Sequence, residues 1–170
     1  GKPLLLVFSA SWCGPCKRLA RDLRRPGAQA TAALVRIVTY DGEVGEGAAL
    51  MQRYGLNSFP SLIAVDREGQ PAVKEVGYGT FEKFAAFLRD LPERTTPLEL
   101  ARAQAEQGKA DGALQLRLAQ RLLSRRELSS DAVDLSEVRR YLQRAVSAGP
   151  SATAATAAWL LLRLDHDAAL

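Results

Sequence analysis

From Leu4 to Phe8 the chain reads Leu-Leu-Leu-Val-Phe with no polar residue. A short unbroken apolar run predicts a strand covered on both faces, as in a parallel sheet, so Pro3–Ser9 is read as strand. Cys13–Arg25 reads as a helix that stops at Pro26-Gly27. The β-branched stretch Val35–Tyr40 predicts a second strand, "DGEVGEG" at 41–47 a flexible connection, and "AALMQRYG" a short helix ending at Gly55. Ser61–Val65 and Val73–Val76 follow as strands around the turn "DREGQP" at 66–71, and so short a connection makes them antiparallel. Thr80 is placed to cap the next helix, where Phe81, Phe84, Phe87, Leu88 and Leu91 recur at helical spacing and pack on the sheet. The order βαβαββα describes an α/β domain of about ninety residues, a normal size for independent folding.

Past "LPERTTP" at 91–97 strand formers almost vanish, and Ala, Leu, Arg and Gln dominate. Four helices are read at about 98–107, 111–126, 134–148 and 152–165, separated by Gly108, by "ELSSDAVD" and by Gly149-Pro150. Leu114, Leu118 and Leu122 form one stripe, and Leu135, Val138, Leu142 and Val146 another. Short connections make these helices antiparallel neighbours in a helical array. The chain therefore divides into an α/β domain, 1–92, and an all-α extension, 93–170. Trp159-Leu160-Leu161-Leu162 is apolar on several faces and is expected to pack inside the chain, with Trp159 in the core.

Charge refines this picture only locally. The 170 residues carry a formal net charge of +4, and 1–92 holds 12 of the Lys and Arg against 9 Asp and Glu. Lys17, Arg18, Arg21, Arg24 and Arg25 crowd one short segment, but no aromatic ladder or zinc-finger spacing goes with them. That cluster reads as a solvated helix face, and nucleic acid is not an expected partner. No apolar run approaches bilayer length, so no membrane span is expected. The chain opens on Gly1 instead of Met, as after processing or trimming, so a targeting segment is not legible. The glycine order in "GEVGEG" differs from a dinucleotide fingerprint, and Glu43 and Glu46 would repel phosphate.

The two cysteines, Cys13 and Cys16, stand together in "SASWCGPCKRL". Two cysteines cannot make the disulfide framework of a small secreted domain. Their spacing at a helix start sets both sulfurs on one face, at a separation compatible with a disulfide. Unpaired amides and the helix dipole favour a thiolate at Cys13, with Lys17 and Arg18 adding positive charge. Pro15 fits the first turn, where its missing N–H costs nothing. Cys16, one turn further in, is expected to be the more buried and to act as resolving thiol. Zinc needs four ligands, and the chain's one histidine, His166, is far along the sequence, so no metal is expected. A two-thiolate copper(I) clip and a buried structural pair stand beside redox chemistry as alternatives.

"WCGPCK" at 12–17, after an apolar strand and opening a helix, resembles the active site of the thioredoxin superfamily. "FPS" at 59–61 and Gly77-Tyr78-Gly79 match two further family positions, so the resemblance covers about 1–92. It implies a thioredoxin-like fold, a cis peptide bond before Pro60, Trp12 shielding the sulfurs, and a substrate groove lined by Phe59, Pro60, Gly77 and Tyr78. Gly14, Pro15 and Lys17 would support the pair, and Gly14-Pro15 would favour the reducing direction. It implies no cofactor beyond the redox-active disulfide. Its partners would be protein thiols or disulfides and an upstream electron donor. Two departures stand out: Val7 occupies the place of the family's buried Asp, which predicts slow resolution, and the family's first strand and helix are absent. The opening stretch is more similar to the thioredoxin-like domains of exported bacterial proteins, so a periplasmic or exported location is expected over a cytoplasmic one. The helices of 93–170 resemble tetratricopeptide-type repeats in their pairing, although the full signature does not recur. They are expected either to cap the fold or to bind a peptide or protein partner. A scaffold or chaperone-like module, with the redox pair secondary, is the alternative function.

Overall fold

The computed structural model describes residues 2–26, 33–128 and 132–168. The apolar run becomes β1 (Leu4–Ser9), joined by β2 (Arg36–Asp41), β3 (Ser61–Val65) and β4 (Pro71–Val76) in the sheet order β2-β1-β3-β4. β1 lies parallel to β2 and antiparallel to β3, and β3 antiparallel to β4. Parallel neighbours need a long crossover, and α1 (Gly14–Asp22) belongs to it. α2 (Gly45–Arg53) lies between β2 and β3, and α3 (Phe81–Arg94) follows β4. Among the described residues the order is βαβαββα with a mixed sheet, as expected.

Alternation along the strands sorts the core into two layers. Leu5 and Val7 join Leu62, Ala64 and Val73 against Leu19 of α1 and Phe84, Leu88 and Leu91 of α3. Leu6 and Phe8 point the other way and join Ile63 and Val65 against Met51, Tyr54 and Leu56. Covering both faces removes any need for polar alternation in β1 and β3. Thr80 caps α3, its hydroxyl oxygen accepting the Lys83 amide at 3.4 Å. Phe81, at the start of α3, is not part of the first of these layers, and the Arg25 guanidinium lies 5.8 Å from its ring.

The described residues form two compact units, the first built on 2–97 and the second on 98–126 and 132–168, with 127 and 128 grouped with the first. The second contains α4 (Leu98–Gln107), α5 (Gly112–Leu128), α6 (Leu135–Ser147) and α7 (Ala152–Ala168). Its core gathers Ala105, Leu118, Leu122, Val138, Tyr141 and Leu142. Arg102 of α4 grips Glu137 of α6 with two hydrogen bonds of 2.8 and 2.7 Å. Fully buried Gln115 donates to the carbonyls of Ala105 (2.6 Å) and Gly108 (3.1 Å), satisfying backbone acceptors at the end of α4.

Three expectations need correction. The segment 41–47 is not a loose connection, because α2 already begins at Gly45. Trp159 is 55% exposed, with the Arg163 guanidinium 5.0 Å from its ring, while Leu164 is buried. A four-residue apolar run wraps the whole circumference of a helix, and only part of it can face a core. Cys13 precedes α1 instead of opening it. Gly27, and the part of "ELSSDAVD" at 129–131, lie outside the described residues. Among the described residues no helix is long and apolar enough to cross a membrane.

Candidate active site

Cys13 is the N-cap of α1, with extended backbone at φ −73° and ψ 108°, and Pro15 sits in the first turn. Its Sγ accepts the Cys16 amide at 3.1 Å, the bond a Ser or Asp oxygen ordinarily makes at a helix start. The two sulfurs form a disulfide, with the Cα atoms 5.3 Å apart. Cys13 is 2% exposed and Cys16 4%, so the expected difference in burial is absent. In the disulfide both share the cover of Ala10 and Phe59. Gly14 and Lys17 lie on the open side of α1, and the Lys17 amide donates to the Cys13 carbonyl at 3.2 Å.

Phe59, packed against the cysteine pair, meets a second ring. Trp12, 66% exposed, meets Phe59 edge-on with ring centres 5.8 Å apart. Its indole Nε1 donates to Glu43 Oε1 at 2.9 Å. Glu43 is in turn fixed by its own amide, which donates to Asp41 Oδ1 at 3.0 Å as β2 ends. The Phe59–Pro60 bond is cis. The Pro60 carbonyl accepts the Gly77 amide at 2.7 Å, and Gly77 holds φ +86°, a left-handed backbone that glycine adopts without a Cβ clash.

The Tyr78 side chain turns to α1. Its hydroxyl donates to Asp22 Oδ2 at 2.5 Å, at the C-terminal end of α1, and its ring packs edge-on against Phe84. Burial, reinforced by the Asp22 carboxylate, pushes the phenol up to about 12, so it stays a donor. Backbone and side chains thus bring Cys13, Cys16, Trp12 and Phe59 together, with Pro60 joined to Gly77, while the Tyr78 side chain serves α1.

Sequence reasoning missed Ala10, Glu43 and Asp22. Asp22 carried a legible signal, since it continues the buried stripe of Cys16 and Leu19 at helical spacing. Glu43 carried none, because its partner lies 31 positions away. Val7 is 3% exposed within an apolar cluster. The buried acids among the described residues are Asp22 and Asp66. Asp66 is spent on the β3–β4 turn, accepting the amides of Glu68 and Gln70. Asp22 lies roughly 9 Å along the helix axis from Cys16, too far to take its proton directly. Among the described residues no group of three or more His, Cys, Asp or Glu gathers to hold a metal ion.

A family described as a thioredoxin-like domain matches residues 1–92. The thiol:disulfide interchange protein DsbD of Ralstonia nicotianae is 38% identical over 94 residues, which cover 52% of this chain and 15% of that protein. A thioredoxin of Alicyclobacillus acidocaldarius is 34% identical over 90 residues, covering 53% of this chain and 82% of that one. The solution structure of a thioredoxin from Thermus thermophilus superposes with a TM-score of 0.48 at 21% identity, over 53% of this chain and 73% of that one. The chain thus spans a small part of the interchange protein and most of the thioredoxin.

Proposed function

Because the chain belongs to the thioredoxin-like domain family, we propose that it is a thiol–disulfide oxidoreductase whose working pair is Cys13 and Cys16. The observation that carries this reading is the Cys16 amide aimed at Cys13 Sγ, 3.1 Å away at the start of α1. In the reduced chain the same amide and the helix dipole stabilise a Cys13 thiolate and make it the nucleophile near neutral pH.

The Cys13 thiolate attacks one sulfur of a target disulfide. A Cys13–target S–S bond forms, the target's own S–S bond breaks, and its other sulfur leaves as a thiolate. The Cys16 thiolate then attacks Cys13 Sγ, closes the Cys13–Cys16 disulfide and expels the second target thiolate. Two electrons pass to the target, water supplies its protons, and an upstream dithiol returns the pair to the reduced state. No metal or organic cofactor enters this balance. Trp12 and Phe59 shield the sulfurs, and the backbone around Phe59-Pro60 and Gly77 lies ready for an extended target segment. Gly14-Pro15 favours reduction of protein disulfides as the direction.

The test is a Cys16→Ser chain, reduced and mixed with an oxidised protein disulfide. Intact-mass and peptide analysis should find one covalent adduct, on Cys13, that dithiothreitol releases; no adduct, or one elsewhere, would refute the assignment. With Val7 in place of a carboxylate, removal of the Cys16 proton falls to water, so the mixed disulfide should be long-lived. Val7→Asp, in a chain checked to remain folded, should shorten that lifetime about tenfold in a quenched-flow trap. Equal lifetimes would mean that proton removal does not limit resolution.

A further inference from the structure

Asp22 is a carboxylate in a place where carboxylates are costly. It is 6% exposed, and a buried carboxylate needs partners to hold it there. It sits at the end of the helix that Cys13 caps, yet touches neither cysteine. Its Oδ2 accepts the Tyr78 hydroxyl at 2.5 Å, a charge-assisted bond across 56 positions of sequence. Its Oδ1 lies 2.9 Å from Arg25 Nη2 and 3.9 Å from Arg21 Nε, ion pairs without hydrogen-bond alignment at that oxygen. The hydroxyl of Tyr78 is therefore the directional partner that holds this carboxylate.

Tyr78 lies in the loop between β4 and α3, and the loop is short. It leaves β4 at Gly77, whose amide is bonded to the Pro60 carbonyl at 2.7 Å, and it enters α3 at Thr80, the cap residue. Between those two fixed points Tyr78 supplies a third, its ring wedged against Phe84 and its oxygen bonded to α1. A continuous covalent and hydrogen-bonded path thus runs from the cysteine helix through Asp22, Tyr78 and Gly77 to Pro60, whose neighbour Phe59 packs against the cysteine pair. We propose that Asp22 is a positioning residue: through the Tyr78 hydroxyl it holds the 77–79 loop and the Pro60 backbone at a set distance from the cysteine helix, so that an extended protein segment fits between them. This rests on the oxidoreductase reading above. A small disulfide reagent reaches Cys13 without using that loop, so the anchor should matter for protein substrates alone.

The experiment compares wild type, Tyr78→Phe, Asp22→Ala and Asp22→Asn on two substrates, a protein disulfide and a small aromatic disulfide reagent. Tyr78→Phe keeps the ring and removes the donor. It should raise KM for the protein disulfide about five- to tenfold, change kcat by less than about twofold and leave the small reagent unaffected. Asp22→Ala should behave alike, whereas Asp22→Asn retains an acceptor and should restore most of the wild-type KM. Amide hydrogen exchange should rise at 77–79 in Tyr78→Phe and stay unchanged in β1 and β3. An unchanged KM for the protein, or equal losses on both substrates, would overturn the proposal, as would unchanged exchange at 77–79. A wild-type chain with no turnover would instead overturn the oxidoreductase reading, and exchange at 77–79 would then decide the anchor by itself.

Discussion

Cys13→Ser is expected to bring catalysed reduction of a protein disulfide down to the rate of the dithiol donor alone, a loss of about a thousandfold or more. A serine hydroxyl is hardly ionised near neutral pH and forms no disulfide, so the first bond of the reaction cannot be made. The substitution is a clean one structurally. Cys13 is the N-cap of α1 and its sulfur accepts the Cys16 amide. Serine is a preferred residue at that position and makes the same bond with its oxygen, so α1 keeps its cap. The variant gives up only a disulfide that closes a very short loop, where the effect on chain entropy is smallest. Loss of turnover with an unchanged urea midpoint is the expected pair of observations. Retained turnover would move the nucleophile away from Cys13.

Gly47→Ala is expected to destabilise the first unit by about 3 kcal/mol, at the upper end of what overpacking costs. A Cβ at position 47 would stand 1.9 Å from the Asp41 carbonyl oxygen and 3.1 Å from the Tyr40 Cβ. The first of these neighbours is backbone at the end of β2, which cannot swing aside as a side chain does. Either α2 withdraws from β2, or the turn at 41–44 is displaced. That turn carries Glu43, so the indole of Trp12 should lose its acceptor as well. Urea unfolding measures the first effect, with an unchanged m-value showing that the unfolded state is not responsible. A change below about 0.5 kcal/mol would show that the helix relaxes freely, against the packing described.

This glycine also shows where sequence reasoning stopped short. β1 and β3 were legible because Leu5–Phe8 and Leu62–Val65 are buried on both faces, which leaves no polar alternation. α3 was legible from its capping threonine and the spacing of Phe84, Leu88 and Leu91. The body of α2 was legible in "AALMQRYG", but its start was not, since its N-cap is Val44 with no side-chain bond, and it opens Gly-Glu-Gly, residues that read as loop. Its start is dictated instead by the close approach of Gly47 to Asp41, a tertiary requirement. The same distinction divides the site. Cys13 and Cys16 announced themselves through local spacing, and the resemblance carried Trp12, Phe59 and Pro60. Glu43 and the Tyr78–Asp22 bond depend on segments far apart in sequence, so no local pattern encodes them. Trp159 misled for a related reason, because an apolar run on a helix does not say which of its sides meets the core.

The most direct test of the account is the rate at which the purified wild-type chain reduces a protein disulfide with dithiothreitol as donor. The account predicts a rate proportional to the concentration of chain and well above that of dithiothreitol alone. A rate equal to dithiothreitol alone, with Cys13 and Cys16 shown by thiol titration to be reduced and accessible, would contradict it.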